Sequence, residues 1–293
     1  MKTIVSALLF FSSLTLIGQR NFDSVEIKPV QVSENVYVLF GSGGNIALVT
    51  GQEHNYLIDD QFAPLSDKIT FAVMSINPKP IAYVLNTHWH GDHTGGNANF
   101  ANAGATIIAH DRAYERLKTG QQNGQRVTPP AVAAALPTIR FSDRMTLQYK
   151  GDASIHAIHV NDAHTDGDSF YYFPTENVIH LGDNFINGRY PFIDTSSGGD
   201  IDGIISNLYM AASMIDDQTI VIPGHGAMSN RKELTDYANL LDLFRELIVE
   251  LRNEGFSTQE IIDKEPLAEW DATYGSGFIG PEAFIRSVFQ TAD

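Results

Sequence analysis

The chain reads as a layered α/β protein. Short apolar runs of strand length are interleaved with, and followed by, amphipathic stretches of helical period, the pattern of sheets covered by helices. No Pro-, Gly- or Ser-rich linker separates two halves, and no internal repeat is visible. With 293 residues, of which 43% are hydrophobic, the chain can bury a substantial core in one domain.

The elements follow in order. Val36-Tyr37-Val38-Leu39-Phe40 is rich in β-branched and aromatic residues and predicts a strand, turned by Gly41-Ser42-Gly43-Gly44. Strands over Ile46 to Val49 and Tyr56 to Ile58 follow. Ser66 is placed to cap a helix over 67–76, which Asn77-Pro78 ends. The apolar run Ile81 to Leu85 is a buried strand that delivers the chain into a histidine-rich loop. Further strands are expected at Thr106–Ala109, Met145–Tyr149, Ser154–His159, Ser169–Phe173, Val178–Leu181 and Thr219–Ile222. Gly120, Gly124, Pro129 and Pro130 make the stretch from Lys118 to Pro137 read as a long loop. Asp200 suits the cap of a helix over 201–214. In a helix over 231–254, Leu234, Tyr237, Leu241, Phe244, Ile248 and Leu251 recur at three-four spacing and form one buried stripe.

Composition limits the partners. The formal charge is −16 and the pI near 4.9, which disfavours non-specific binding to nucleic acid or to an anionic membrane. Residues 1–18 have the form of a secretory signal, with Lys2 ahead of an apolar Ile4–Ile17 stretch and Gly18 as the small residue at the cleavage point. The expectation is a periplasmic or secreted protein, with 19–293 as one domain and no stable membrane insertion after cleavage. There is no cysteine, so export brings no disulfide and any metal must be held by nitrogen and oxygen. Oligomeric state is left open by the composition.

The chemistry concentrates in His88-Trp89-His90-Gly91-Asp92-His93. Two histidines one residue apart can point the same way from extended backbone, and Asp92 and His93 then face another direction around the turn. That arrangement suits two adjacent metal ions, which make hydroxide available at neutral pH. His164, Asp183 and His225 each follow an expected strand, where a rigid sheet offers ligands to a shared edge. His54, His110, His156, His159 and His180 fit no ligand position. Asp166 and Asp168 read as turn residues or as partners for ligand histidines. Trp89 should pack away from the metal side or wall the pocket.

Thr87-His88-Trp89-His90-Gly91-Asp92-His93-Thr94-Gly95-Gly96-Asn97 resembles the signature loop of the metallo-β-lactamase superfamily. His164, Gly182-Asp183 and Pro223-Gly224-His225-Gly226 match its later motifs in order, so the resemblance runs from about Val36 to Gly226. It implies a four-layered αβ/βα sandwich and two zinc ions, although iron or manganese also suits such donors. It further implies that His88, His90 and His164 bind one ion, that Asp92, His93 and His225 bind the other, and that Asp183 bridges them. Asp92 is then the catalytic residue, holding the attacking hydroxide and passing a proton to the leaving group.

The substrate implied is a small molecule with a hydrolysable carbonyl: a lactam, lactone, ester or thioester. Exported β-lactamases of the superfamily fit the leader, but Asp183 stands where some of them carry cysteine or, nearby, serine. They also carry a lysine that is missing here, with Arg189 the nearest cation. His164-Thr165-Asp166-Gly167-Asp168 and Gly182-Asp183-Asn184-Phe185 are closer to glyoxalase II-like thioesterases, whose basic C-terminal region has no match in 257–293. A resemblance also exists to exported hydrolases found beside quinoprotein dehydrogenases. A metal-binding scaffold without activity is the remaining alternative. Phe62, Arg189 and Tyr190 are the expected substrate-binding residues, from loops 60–64 and 185–199.

Overall fold

The structure is a computed structural model that describes residues 21–292 apart from Gly124 and Gln125. The expected leader at 1–18 lies outside the described residues. The chain first lays down β1 (Lys28–Gln31), β2 (Val36–Phe40), β3 (Ile46–Thr50) and β4 (Asn55–Ile58), each antiparallel to the one before. Helix α1 (Ser66–Ile76) then crosses over to β5 (Ile81–Leu85), parallel to β4. Two short helices, α2 (Gly91–Thr94) and α3 (Asn97–Asn102), lead to β6 (Thr106–His110) and α4 (Asp111–Thr119). A small hairpin, β7 (Gln121–Asn123) with β8 (Arg126–Thr128), precedes β9 (Ile139–Phe141), which completes a seven-stranded sheet of order β1-β2-β3-β4-β5-β6-β9.

The second sheet has five strands in sequence order: β10 (Arg144–Lys150), β11 (Ala153–His159), β12 (Ser169–Phe173), β13 (Val178–His180) and, after α5 (Ile201–Met214), β14 (Ile220–Ile222). The last two strands are parallel. The long α6 (Arg231–Asn253), then α7 (Thr258–Asp263), α8 (Ala268–Tyr274) and α9 (Pro281–Thr291) follow.

Three apolar clusters define four layers. Val38, Ala47, Val49 and Ile58 of the first sheet meet Ile155, Ala157, Tyr171 and Phe173 of the second, so the sheets pack face to face. Leu48, Leu57 and Val84 on the first sheet's other face pack against Ile69 and Val73 of α1 and Phe100 of α3. Phe170, Ile179 and Val221 on the second sheet's other face pack against Ile204 and Leu208 of α5, Leu241 and Phe244 of α6, and Phe284 of α9. Strands buried on both faces read as continuous apolar runs, as Ile46–Val49 does. The expected αβ/βα sandwich is therefore the fold observed.

Most expected elements appear within a residue or two. Asp200 caps α5 by accepting from Asp202 N and Gly203 N, and the α6 stripe is buried from Leu234 to Ile248. Ser66 does not cap: it is the first residue of α1, and its Oγ donates to Ala63 O at 3.0 Å. The stretch 118–137, read as loop, holds the end of α4, the hairpin and a 3₁₀ turn. No helix among the described residues is long and apolar enough to cross a membrane.

Candidate metal centre

The site lies where the two sheets present the C-terminal ends of their parallel strands. The loop after β5 carries His88, His90, Asp92 and His93; His164 follows β11, Asp183 sits in a 3₁₀ turn after β13, and His225 follows β14. All seven expected ligands converge. Their donor atoms form three overlapping groups, each within 4.8 Å: His88, His90 and His164; His88, His93 and Asp183; and Asp92, His93 and His225. Asp183 reaches every part, with Oδ1 3.1 Å from His93 Nε2 and Oδ2 3.4 Å from His225 Nε2 and 3.7 Å from His164 Nε2. Glycine permits this crowding: a Cβ on Gly44 would overlap the His93 ring, and one on Gly224 would overlap Asp183 Oδ1.

Four of the imidazoles are held from behind by oxygen atoms placed to accept from them. Asp59, at the end of β4, receives Thr87 N on Oδ1 and the Thr87 hydroxyl on Oδ2, both at 2.7 Å. Its Oδ2 also lies 2.7 Å from His93 Nδ1, which makes Nδ1 the protonated nitrogen. Because the Thr87 hydroxyl donates to Asp59, its oxygen accepts from His88 Nδ1 at 3.0 Å. Asp194 Oδ2 takes His90 Nε2 at 3.0 Å, and the Phe192 carbonyl takes His164 Nδ1 at 2.6 Å. Each ring therefore turns a lone pair inward: Nε2 of His88, His93 and His164, and Nδ1 of His90.

Those lone pairs have no ordinary partners. His88 Nε2 and Asp183 Oδ1 are buried without a hydrogen bond. His164 Nε2 lies 2.9 Å from His90 Nδ1, and His93 Nε2 lies 3.3 Å from His225 Nε2. The inward lone pairs of His90 and His164, this close, repel unless a cation stands between them. The residues present thus fit metal ions, with a nitrogen- and carboxylate-only set that suits zinc first.

The electrostatics divide the rings: His88 and His164 are held neutral, whereas His93 and His225 each favour a second proton, which a bound cation would displace. Burial drives His88 well below the usual imidazole range and His164 down to about 4, so both stay neutral. Burial opposes charge on His93 and His225 too, but Asp183 and the other carboxylates outweigh it; His93 is held well above its ordinary value and His225 is raised to about 9. Burial would raise Asp92, yet His93 and His225 bring it down to about 2. Asp92 is thus ionised at neutral pH, and its side chain is 29% exposed, the most open of the four carboxylates in and behind the cluster.

The remaining expectations divide. Trp89 is 3% exposed and packs with Ala109, Ala113 and Leu117. Phe62 lies near Asp92, both flanking Gly43. Arg189 is exposed, its stem lying along Gly277. Tyr190 is displaced from its expected role: it is 2% exposed, its ring stacks on Phe284, and its hydroxyl donates to Asp271 Oδ1 at 2.7 Å. It is a core residue with nothing left to offer a substrate. Asp166 and Asp168 do not back the ligand rings either; Asp166 pairs with Arg116, and Asp168 accepts from Thr165 N and Oγ1 and from Asn184. The partners are Asp59, Asp194, Thr87 and the Phe192 carbonyl, and sequence reading missed Asp59 and Asp194. The signal available was an acidic residue directly after a buried strand, Ile58-Asp59.

Comparison with known proteins gives a consistent picture. A family model described as the metallo-beta-lactamase superfamily matches residues 39–240. The chain is 28% identical over 174 residues to a hydroxyacylglutathione hydrolase of Polaromonas sp., covering 59% of each chain. It is 24% identical over 247 residues to an atrochrysone carboxyl ACP thioesterase of Aspergillus fumigatus, covering 84% of this chain and 51% of the relative. It therefore spans between half and three-fifths of the length of these two relatives. Among solved structures, a metallo-beta-lactamase from Pontibacter korlensis superposes with a TM-score of 0.63 at 15% identity, covering 74% of this chain and 99% of the other. That likeness is one of fold.

Proposed function

The chain belongs to the metallo-beta-lactamase superfamily, and from that membership we propose that it is an exported hydrolase, dependent on two zinc ions, that cleaves a carbonyl compound. The observation that carries the reading is the set of four imidazoles, each fixed from behind so that its lone pair faces a shared space also reached by Asp92, Asp183 and His225. Bound there, a zinc pair would acidify water and polarise a substrate carbonyl. His88, His90 and His164 would hold one ion, Asp92, His93 and His225 the other, with Asp183 between them.

The chain's own groups account for the rest. Asp59 and Asp194 keep His93 and His90 in the tautomers that bind. Asp92, ionised and partly open, accepts a proton from water and returns it to the leaving group. Among carbonyl compounds we favour a thioester. The support is Asp183 in place of cysteine or serine, together with two relatives whose names specify an acylglutathione hydrolase and a thioesterase. Export rests on the leader-like segment at 1–18, and amino-terminal sequencing of the mature protein tests it.

The function is tested by a panel on the zinc-loaded protein: a chromogenic cephalosporin, a homoserine lactone and a glutathione thioester. The reading predicts the highest kcat/KM on the thioester. Preferred turnover of the cephalosporin would make the protein a β-lactamase, and bound metal with no turnover of any of the three would make it a scaffold.

A further inference from the structure

The C-terminal segment after α8 returns to the metal centre. Gly277 packs on the aliphatic stem of Arg189, and the next residue, Phe278, sets its ring edge-on to Phe192, centroids 5.8 Å apart at 84°. Phe192 in turn lies against two ligand rings, stacked on His90 and edge-on to His164, each at 5.7 Å. One aromatic surface thus runs outward from the ligands to Phe278, which remains 70% exposed. An exposed phenylalanine on a loop flanked by Gly275, Gly277 and Gly280 gains nothing for the core; α8 itself buries no residue. On the other side of the site, Phe62 flanks Gly43 beside Asp92 and packs its ring on Phe22 at 5.2 Å. The mouth is therefore bordered by rings on two sides.

We infer that Phe278 is a specificity-determining residue, forming with Phe192 an apolar wall that selects a medium-length, uncharged acyl chain on the substrate. This deepens the hydrolase reading and rests on it. A flat aromatic face removes methylene groups from water without demanding a polar partner. A chain of several methylenes can run from the ligand rings past Phe192 to Phe278, whereas an acetyl group cannot reach the second ring. The net charge of −16 adds no general attraction for an anionic acyl group.

The test compares the wild type with Phe278→Ala on S-acetyl and S-octanoyl N-acetylcysteamine. Released thiol is read with a thiol reagent, which is clean here because the protein has no cysteine. Calorimetric binding of the octanoyl ketone analogue, with a methylene in place of sulfur, supplies a readout independent of turnover. The expected result is a preference for octanoyl in the wild type and about a tenfold loss of kcat/KM for octanoyl in Phe278→Ala, carried by KM. Acetyl turnover and zinc content should be unchanged, and the analogue's affinity should fall by a similar factor. Equal effects on both chain lengths, or analogue affinity insensitive to Phe278, would overturn the inference. So would a preference for a succinyl thioester that Arg189→Met abolishes. If neither thioester is hydrolysed but the analogue binds in a Phe278-dependent way, the hydrolase reading fails and the wall stands.

Discussion

Asp59 Oδ2 lies 2.7 Å from His93 Nδ1, and the same carboxylate receives both the backbone and the hydroxyl of Thr87. One buried side chain thereby fixes the entry and the exit of the ligand loop. Through Thr87 it also sets the tautomer of His88. Replacing it with asparagine keeps the shape but puts an N–H donor where an acceptor is required. Asp59→Asn should weaken zinc binding by about 10- to 100-fold, as loss of a carboxylate behind a ligand histidine does elsewhere. Competition with a chromophoric chelator measures this; unchanged affinity would show that the loop holds its geometry without Asp59.

Asp194 and Asp166 give a matched pair. Asp194 backs His90, whereas Asp166 binds Arg116 and touches no ligand. Asp194→Asn should lower zinc affinity at the His88, His90 and His164 cluster by about tenfold or more, and Asp166→Asn should leave it unchanged. Isothermal titration of both variants with zinc separates the two effects.

The seven converging residues were readable because the family motif lists them residue by residue, and the strands that deliver them carry unbroken apolar runs such as Ile81–Leu85. Its supports were not readable. Asp59 meets His93 only because β4 and β5 are parallel neighbours, and Asp194 lies 104 residues from His90. Neither relation has a local period or spacing. Tyr190 was misplaced for the opposite reason: an aromatic in a loop after a ligand looks like pocket lining until Phe284, from α9, is seen against its ring. The hairpin at β7 and β8 escaped notice because Gln121-Gln122-Asn123 has no apolar alternation to announce a strand.

Asp92 is the group assigned to proton transfer. Asp92→Asn keeps an oxygen donor for metal but cannot accept a proton, so kcat should fall by about 10²- to 10⁴-fold. Zinc content, read by mass spectrometry of the dialysed variant, should change far less. Full activity in Asp92→Asn would remove that role.

Glu176, in the turn between β12 and β13, ties the two sheets together. It accepts from Asn35 Nδ2 at 2.7 Å and from the Tyr149 hydroxyl at 3.0 Å. Burial opposes its charge, but hydrogen bonds from Ser33, Asn35 and Tyr149 prevail and hold its carboxyl below the usual range. A carboxylate with a lowered folded-state value adds stability above its unfolded value. That contribution is lost as pH falls through the lowered one. Glu176→Gln should cost about 1 kcal/mol at neutral pH and flatten the acid limb of the stability curve. Urea melts from pH 7 down to pH 3 measure both, and a variant that tracks the wild type throughout would contradict the tie.

The proposed pair of metal ions is open to a direct count. Zinc titration of the metal-free protein, followed by thermal unfolding, should show a rise in midpoint that ends only at two equivalents per chain, because ions that bind the folded state alone stabilise it by mass action. The same titration on His88→Ala, which removes the buried Nε2 lacking any other partner, should lose part of that rise. Saturation at two equivalents in the wild type is the result expected. Saturation at one, or no stabilisation by zinc, iron or manganese, would contradict the dinuclear site.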